Sequence, residues 1–384
     1  MRRTVRFGLA GLLAAAVVTG LLAGAPVAAQ AATPVTGAVF NNPKGTTAQK
    51  YAIVNRIREL IQGSPSGSTI RVAIYNTTDQ NITADLVAAL DRGVNVRVVV
   101  DADRADETAA ATLISELGTN RANPSWVVVC TAGRACIGNL NTPIMHNKFF
   151  LFSSTLGASN VLVQSSANLN WSNSERYWNN AVQLVGHNEI YNSYVSYHTD
   201  LAAKVKNNDY YRTKSVGSVK SYFFPRAGSG ASSDTIANAL SENVTCTGNT
   251  NTGTGTGRTM IRIAMWSITR VEVANVLRAL ANQKCWVDIV YAESTPEVLA
   301  ALRHDRIMVY KLNNADGYLV HSKYMAIEGT YAGVRDTKLV FTGSHNWSYS
   351  ALRENDEALL RITSNSIHDA YRSNFWSLRT AAGG

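Results

Sequence analysis

The chain has 384 residues, 46% of them hydrophobic and 16% charged, and a formal net charge of +9 at pH 7. This length suits two domains or one large bilobed domain. After residue 31 no apolar run reaches transmembrane length, which excludes further membrane spans. The mild excess of positive charge fits anionic substrates but does not distinguish nucleic acid from phospholipid.

The first 31 residues predict a cleaved signal peptide and therefore a secreted, extracellular protein. Arg2, Arg3 and Arg6 form a basic segment, residues 8–24 are apolar, and residues 29–31 (Ala-Gln-Ala) form a small-residue cleavage site. An uncleaved membrane anchor is the alternative, but the apolar run is short for a span. Cleavage removes three arginines and no acid, which leaves 353 residues (384 less 31) and a charge of +6.

Strand and helix signals alternate along the first half. Apolar residues recur at helical spacing from Ile82 to Leu90, and Gly93 ends that helix. Further helices are predicted near residues 107–117 and over residues 188–206. The predicted strands lie at residues 70–76, 94–103, 126–130, 148–153, 161–166 and 181–186.

The second half repeats this alternation, which predicts a mostly parallel or mixed sheet with helices on both faces. A Gly/Thr-rich segment, residues 247–258, is interpreted as a flexible surface loop. The predicted helices lie at residues 273–280, 295–302 and 367–378. The predicted strands lie at residues 260–266, 286–292, 307–312, 323–328, 338–343 and 358–362.

The two halves are copies of one internal repeat. Residues 145–172 (MHNKFFLF…VQSSANLNWS) match residues 320–348 (VHSKYMAI…FTGSHNWS) in the order of their motifs and strands. Upstream, Ile70, Arg71 and Ala73 align with Ile261, Arg262 and Ala264. Chance similarity of two generic βαβ units is the alternative, but it does not explain why elements and motifs agree together. The copies meet near residues 208–220.

The four cysteines form an even set, and in an exported protein they predict disulfides. Four cysteines allow three pairings, of which we expect the local one, Cys130 with Cys136 and Cys246 with Cys285. A zinc site is not expected, because the chain has no CxxC and no close pair of histidines.

Each copy carries a His-x-Lys at the start of one predicted strand and a Ser-x-Asn at the end of the next. Residues i and i+2 of a strand point to the same face, so the four polar side chains of a copy converge. Lysine supplies positive charge, and serine and asparagine supply neutral donors for phosphate oxygens. The candidate residues are His146, Lys148, Ser166, Asn168, His321, Lys323, Ser344 and Asn346.

A pocket with two imidazoles can perform covalent phosphoryl chemistry. One neutral histidine attacks phosphorus, while the other, protonated, donates a proton to the leaving alkoxide and later accepts one from water or an alcohol. The lysines provide the cationic clamp, so neither a metal nor another cofactor is expected.

These motifs resemble the signature of the phospholipase D superfamily, H-x-K-x4-D followed by G-S-x-N. The second copy matches closely with His321, Lys323 and residues 343–346 (GSHN), and Glu357 lies where that family places an acid behind its histidine. The resemblance implies two tandem phospholipase D-like repeats, residues 32–212 and 213–384. It also implies an α/β fold, a pseudo-twofold bilobed αβαβα sandwich with mixed sheets. Two copies in one chain resemble the lipid-cleaving members, whereas small secreted nucleases of the superfamily carry one copy and dimerise.

The first copy departs from that signature. Ser153 replaces its aspartate, where the second copy has Glu328, and Ser165 replaces the glycine. We align Asn180 with Glu357, so that the first copy lacks both acids. A carboxylate favours an adjacent imidazolium. We therefore expect Glu357 to pair with His321 and make it the acid/base, and neutral Asn180 to lie beside His146 and leave it free to attack.

Other residues near the motifs have simpler interpretations. Trp171 and Trp347, which follow the Ser-x-Asn units, are expected to pack in the core under the site. The remaining histidines are expected to be structural or on the surface, with a reservation for His345 between Ser344 and Asn346. A basic stretch near the repeat junction is expected to be solvated surface; it comprises Lys204, Lys206, Arg212, Lys214 and Lys220.

The sequence therefore predicts a secreted, metal-independent phospholipase D, a phosphodiesterase that hydrolyses the head-group diester of glycerophospholipids to phosphatidic acid. Transfer to an alcohol (transphosphatidylation) would follow where the alcohol outcompetes water. The expected partner is phospholipid at a membrane or micelle surface, and the expected state is a monomer. The alternatives are a secreted metal-independent endonuclease acting on nucleic acid, and a catalytically degenerate protein that binds phosphate or lipid.

Overall fold

The computed structural model describes Met1 and residues 32–384. The predicted signal peptide falls on residues 1–31 and lies outside the continuous described segment. In chain order the strands are β1 Gly37–Phe40, β2 Thr69–Ile74, β3 Asn95–Val100, β4 Trp126–Val129, β5 Lys148–Thr155, β6 Ala158–Ser165, β7 Tyr177–Trp178, β8 Asn180–Val185, β9 Arg212–Val216, β10 Val219–Phe223, β11 Val244–Thr245, β12 Met260–Ile268, β13 Trp286–Ser294, β14 Ile307–Lys311, β15 Leu319–Val320, β16 Lys323–Tyr331, β17 Val334–Gly343 and β18 Ala358–Thr363.

The helices alternate with these strands. They are α1 Thr47–Lys50, α2 Ala52–Gln62, α3 Gln80–Asp91, α4 Thr108–Leu117, α5 Trp171–Glu175, α6 Asn188–Ala203, α7 Thr235–Ser241, α8 Val271–Asn282, α9 Pro296–Ala301, α10 Tyr349–Arg353 and α11 Asn365–Ala381. Capping fixes where several begin. The Asp79 carboxylate, for example, accepts hydrogen bonds from the amides of Asn81 and Ile82 at the start of α3.

Each copy builds one mixed sheet. The first sheet has the order β1-β8-β6-β5-β2-β3-β4, and the second follows β14-β13-β12-β16-β17-β18-β10-β9. In both, three strands are parallel (β2-β3-β4 and β12-β13-β14) and the strands that follow are antiparallel. The mixed sheets predicted from the sequence are confirmed.

The two sheets and their helices form five layers, as the predicted αβαβα sandwich requires. The central layer contains α6 and α11, whose Tyr194 and Tyr371 are buried in a core shared by both sheets. The outer face of the first sheet packs against α2, α3 and α4, and that of the second packs against α7, α8 and α9. Strand β3 illustrates why: Val96, Val98 and Val100 enter the outer core, while Val99 enters the central one.

Short segments also join the two halves directly. Strand β7 of the first copy pairs in parallel with β15 of the second, and Met145 forms an isolated bridge with Asp356. The sequence did not predict the short strands β1, β7, β11 and β15 or the hairpin β9–β10, which is the outer edge of the second sheet. They are short or polar and carry weak periodicity.

The disulfides are the predicted pair, Cys130–Cys136 and Cys246–Cys285. The Gly/Thr-rich segment, interpreted above as flexible, is held by the carboxylate of Asp336, which accepts hydrogen bonds from the amides of Thr250, Asn251 and Thr252. Within residues 32–384, no helix combines the length and the apolar character needed to cross a membrane.

Candidate active site

The two His-x-Lys motifs lie where the halves meet. Strands β5 and β16 begin at Lys148 and Lys323, and each histidine lies two residues earlier. The His146 amide donates to the carbonyl of Asp356 (3.0 Å), and the His321 amide donates to the carbonyl of Trp178 (2.8 Å). The backbone of each histidine is therefore anchored by the opposite copy, which brings both motifs to one seam.

The histidine side chains are oriented across the same seam. His146 Nδ1 lies 2.8 Å from Glu357 Oε1, and His321 Nδ1 lies 2.8 Å from Asn179 Oδ1. Both oxygens are acceptors, so each ring carries its proton on Nδ1 and leaves Nε2 for a substrate. Our prediction that Glu357 pairs with His321 is wrong, because the acid of the second copy serves the histidine of the first.

The alignment of Asn180 with Glu357 is also wrong by one residue. The Ser344 amide donates to the Ala358 carbonyl (3.0 Å), and the Ser166 amide donates to the Asn180 carbonyl (2.9 Å). Ala358 therefore corresponds to Asn180, and Glu357 corresponds to Asn179. Two adjacent asparagines follow the motif, and the sequence alone could not say which of them occupies the place of the acid.

Asn180 performs a different task and does not lie beside His146 as predicted. Its Oδ1 accepts from the Lys323 amide (3.1 Å), and its Nδ2 donates to Thr342 Oγ1 (2.7 Å). Asn180 therefore ties β8 of the first copy to β16 and β17 of the second, and it holds the second His-x-Lys strand against the seam.

The serine of each Ser-x-Asn motif binds the residue that contacts a histidine. Ser344 Oγ donates to Glu357 Oε2, and Ser166 Oγ donates to Asn179 Oδ1 (3.0 Å). Both serines are fully buried. They act on the residue that orients the histidine, so their hydroxyls are committed within the protein. They do not contact phosphate directly, as the sequence had predicted they would, but act through their partner residues.

The lysines are buried with their ammonium groups beside backbone carbonyls. Lys148 Nζ donates to the carbonyl of His146 (2.7 Å), and Lys323 Nζ donates to that of His321 (2.7 Å). Burial lowers the pKa of Lys148 to about 7, and the pKa of Lys323 falls well below its usual value because of burial and the charge of Lys148. Two ammonium groups that repel each other favour an anion between them.

The same cations act on the histidines. Burial, followed by the charges of Lys148 and Lys323, lowers the pKa of both His146 and His321. Burial raises the pKa of Glu357. These surroundings favour neutral rings, and a negatively charged substrate that enters will shift the balance back toward protonation.

Asn168 and Asn346 are predicted phosphate ligands, and their amides remain available for that role. Both are less than a tenth exposed, and within residues 32–384 neither side chain forms a hydrogen bond. The Nδ2 group of each is therefore free to donate to a phosphate oxygen. An amide that is buried and incompletely paired suits a site that a ligand completes.

The aspartate position of the H-x-K-x4-D signature does not belong to the site. Glu328 lies five residues beyond Lys323 on β16, about 17 Å along an extended strand. There it pairs with Arg262 and Arg372. In the first copy, Ser153 Oγ accepts from the Thr69 amide (2.8 Å). The loss of an acid at Ser153 therefore leaves the histidines unaffected.

Aromatic rings flank both histidines, and two of them, Tyr75 and Trp266, were not predicted from the sequence. The Tyr75 ring lies 5.4 Å from the His146 ring, and the Trp266 ring lies 5.5 Å from the His321 ring. Tyr177 stacks on His321 at 5.7 Å. Tyr75 and Trp266 occupy the same position in the two repeats, so extending the alignment of Ala73 with Ala264 by two residues would have found them.

The two tryptophans after the Ser-x-Asn units differ in environment. Trp347 is 2% exposed, as predicted, but Trp171 is 59% exposed, so its assignment to the core is wrong. The Arg176 guanidinium lies 5.6 Å from the Trp171 ring centre and 5.0 Å from that of Tyr318. Arg176 directly precedes Tyr177 in the chain, so this aromatic and basic rim adjoins His321.

The other buried histidines lie outside the two His-x-Lys motifs. His345 is buried against Phe224, with 4.5 Å between ring centres, and burial lowers its pKa to about 4. His198 and His368 are buried in the core. No group of three His, Cys, Asp or Glu side chains with metal-binding geometry occurs among the described residues.

Comparison with known proteins agrees with this arrangement. A family model described as "Cardiolipin synthase, PLD-like domain" matches residues 57–199 and 256–379. The solved phosphatidylserine synthase of Haemophilus influenzae has a TM-score of 0.60 at 13% identity, over 87% of this chain and 85% of its own. The polyphosphate kinase of Porphyromonas gingivalis has a TM-score of 0.58 at 16% identity, over 90% of this chain.

The chain spans about half the length (50%) of that kinase, and at these identities both structures support the fold alone. No curated protein sequence matches the chain. The family model covers both halves, including both His-x-Lys motifs, and the pseudo-twofold architecture agrees with it. The chain therefore belongs to the phospholipase D superfamily and carries two PLD-like domains in one polypeptide.

Proposed function

We propose that this protein is a secreted, metal-independent phosphodiesterase of the phospholipase D type that cleaves the head-group diester of glycerophospholipids. One observation carries the proposal: His146 and His321 meet at one seam, each with Nδ1 committed to an acceptor of the opposite copy. Lys148 and Lys323 supply the cationic clamp that a phosphodiester anion needs.

In the first step the lone pair of His146 Nε2 attacks phosphorus, and the bond from phosphorus to the head-group oxygen breaks. The electron pair of that bond passes to the leaving oxygen, which takes a proton from Nε2 of protonated His321. The products are a phosphohistidine on His146 and the free head-group alcohol. The two lysines and the amides of Asn168 and Asn346 hold the non-bridging oxygens.

In the second step water attacks the phosphohistidine, and His321 accepts its proton. The bond from phosphorus to nitrogen breaks, and its electron pair returns to His146 Nε2, which leaves phosphatidic acid. An alcohol in place of water gives a new phosphodiester, the transphosphatidylation reaction. No step requires an oxidant, a reductant or a metal.

Glu357 supports His146 as the nucleophile, for a reason different from the one the sequence suggested. The imidazole ring becomes positively charged when its Nε2 bonds to phosphorus while Nδ1 keeps its proton. A carboxylate at Nδ1 stabilises that charge, and a neutral amide does so less. Glu357 is at His146, whereas His321 has only Asn179, so the covalent intermediate is better supported on His146.

Two features favour a lipid substrate. The rim beside His321 combines the exposed ring of Trp171 with Arg176 and Tyr318, and amphipathic aromatic residues with adjacent cations suit the interface of an anionic membrane. The disulfides fit an exported protein, for which membrane surfaces are accessible. We propose a monomer, because one chain supplies both halves of the site.

The same rim could stack nucleobases, which keeps a nuclease as the second candidate. Product analysis separates the two. When the protein is incubated with EDTA, mixed phospholipids and plasmid DNA, we expect phosphatidic acid and free head-group alcohol as products, while the plasmid stays intact. Adding a primary alcohol should yield a new phosphodiester.

His146→Ala should reduce turnover by at least about a thousandfold, because the nucleophile is lost. His304→Ala, which removes a histidine outside the site, is the matched control.

Cut plasmid with intact lipid would assign the nuclease instead. No turnover of either substrate would indicate a degenerate binding protein. Activity abolished by EDTA would contradict the metal-independent mechanism.

The pKa of Lys148 near 7 predicts that anion binding depends on pH. The ammonium is charged below that pKa and is lost above it, so a dialkyl phosphate, whose charge is constant, should bind about tenfold more weakly at about pH 8 than at about pH 6. Calorimetric titration of the His146→Ala chain measures this without turnover. In a Lys148→Arg background the weakening should shrink, since a guanidinium stays protonated. Equal pH dependence in both backgrounds would contradict the role of Lys148.

The amide at Asn179 predicts an acid-shifted activity profile. His321 must be protonated to act as the acid, and burial and the lysines lower its pKa well below the usual value for histidine, so kcat/KM should already fall as pH rises through the acid range below neutrality. Asn179→Asp places a carboxylate at its Nδ1, which raises this pKa and should move the alkaline limb up by about one unit or more. Asn180→Asp adds the same charge without contacting the ring. The prediction fails if the limb stays in place or moves equally in both variants.

A further inference from the structure

A second cavity, of about 280 Å³, lies on the outer side of the second sheet. Its walls come from β10, β18 and α7, together with the segment after β10. The catalytic histidines and lysines do not line it. Three cations do: Lys220 on β10, Arg226 just beyond that strand, and Arg361 on β18. The sequence had suggested solvated surface for Lys220, but this side chain is directed into the cavity.

Each of these cations lies over the face of a tyrosine in the same cavity. Lys220 Nζ is 4.9 Å from the Tyr222 ring centre, and the Arg226 guanidinium is 4.5 Å from that of Tyr211. The third, Arg361, is 5.6 Å from the Tyr331 ring centre. Cation–π contacts hold the charged groups in place without neutralising them.

The charges are not balanced by the protein. Within residues 32–384, none of the three cations forms an ion pair with a carboxylate. Glu242 alone contributes an acid to the lining. The Nε of Arg361 is buried without a hydrogen-bond partner, and burial together with Arg361 lowers the pKa of Lys220. Unpaired like charges held together oppose folding, and a bound anion would relieve that repulsion.

The first copy provides an internal comparison. In the strand register of the second sheet, Lys220 lies opposite Arg361. At the equivalent place in the first sheet, Gly37 lies opposite Gln183. The residue equivalent to Tyr222 is likewise Val39.

Three residues past the equivalent strands, Arg226 corresponds to Pro43. The fold therefore does not require charge at these positions. The cations are specific to the second copy, which favours a ligand over a structural role.

We propose that this cavity is a binding site for a phosphomonoester dianion, separate from the catalytic pocket. Three cations against one acid suit a ligand with two negative charges, and the guanidinium groups can bind phosphate oxygens in pairs. The tyrosine hydroxyls add neutral donors for a small polyol such as glycerol, which the volume accommodates. The proposal stands independently of the catalytic function.

The test is calorimetric titration with glycerol 3-phosphate. The wild-type protein should show two sites, one catalytic and one in this cavity. Lys220→Gln with Arg361→Gln, which gives position 361 the residue of the first copy, should leave one site and weaken the other by more than about tenfold. Arg212→Gln with Lys214→Gln removes the same charge from neighbouring β9, where both side chains are exposed, and should keep two sites.

Arg226→Gln provides a second variant outside the strands, should the double variant fail to fold. It should weaken the same site. Equal binding by the wild type and the cavity variants, or equal loss in the β9 control, overturns the proposal.

Vesicles distinguish the source of the phosphomonoester. Sedimentation with phosphatidylcholine vesicles that contain phosphatidic acid supplies the same group on a lipid. If the Lys220/Arg361 variant loses binding of glycerol 3-phosphate but still binds the vesicles, the ligand is a soluble metabolite. If it loses vesicle binding as well, the ligand is a lipid head group. Either loss supports the cavity as a phosphomonoester site, and retention of both contradicts it.

Discussion

The pairing of His146 with Glu357 across the seam is the interaction on which the site depends. The ring comes from one copy, and the carboxylate that fixes its tautomer comes from the other. The reciprocal pair, His321 with Asn179, crosses in the opposite direction. Neither half therefore holds a correctly oriented histidine alone, and the shared core around α6 and α11 is what keeps the two halves in register.

The same seam maintains an unfavourable arrangement of charge. Lys148 and Lys323 are both buried with carbonyl oxygens as their immediate partners, and the charge of Lys148 lowers the pKa of Lys323. Such a site opposes folding, and the extensive cores on both sides of each sheet offset it. A phosphodiester between the two ammonium groups relieves the repulsion, so this arrangement of charge favours binding of an anionic substrate.

Much of this was predictable from the sequence, because the repeat and the His-x-Lys motifs are local patterns. The longer central strands, the mixed sheets, the five layers and both disulfides follow from periodicity, from the resemblance and from cysteine spacing. The partners of the histidines did not follow. Glu357 and His321 lie in the same copy, so the motif of a single copy suggests that they pair. Contacts between the two copies depend on how the two sheets face each other, which the sequence of one copy does not show.

The errors at Asn180 and Trp171 have comparable causes. Because two asparagines are adjacent, the sequence allows either of them to align with Glu357. The backbone hydrogen bonds of Ser166 and Ser344 with the next strand show which one does. Trp171 begins a short helix whose exposed face lies at the rim of the site, where the hydrophobicity of a side chain does not predict burial. Tyr75 and Trp266, by contrast, were recoverable from the repeat itself.

The most direct test of this account is to trap the covalent intermediate and map it. A phosphodiester labelled on phosphorus, quenched during turnover and digested, should place the label on the peptide that contains His146. Glu357→Gln should lower the trapped fraction by at least about tenfold, because the charged ring loses its carboxylate. Label on His321, or an intermediate on His146 that forms equally well without Glu357, would contradict the account.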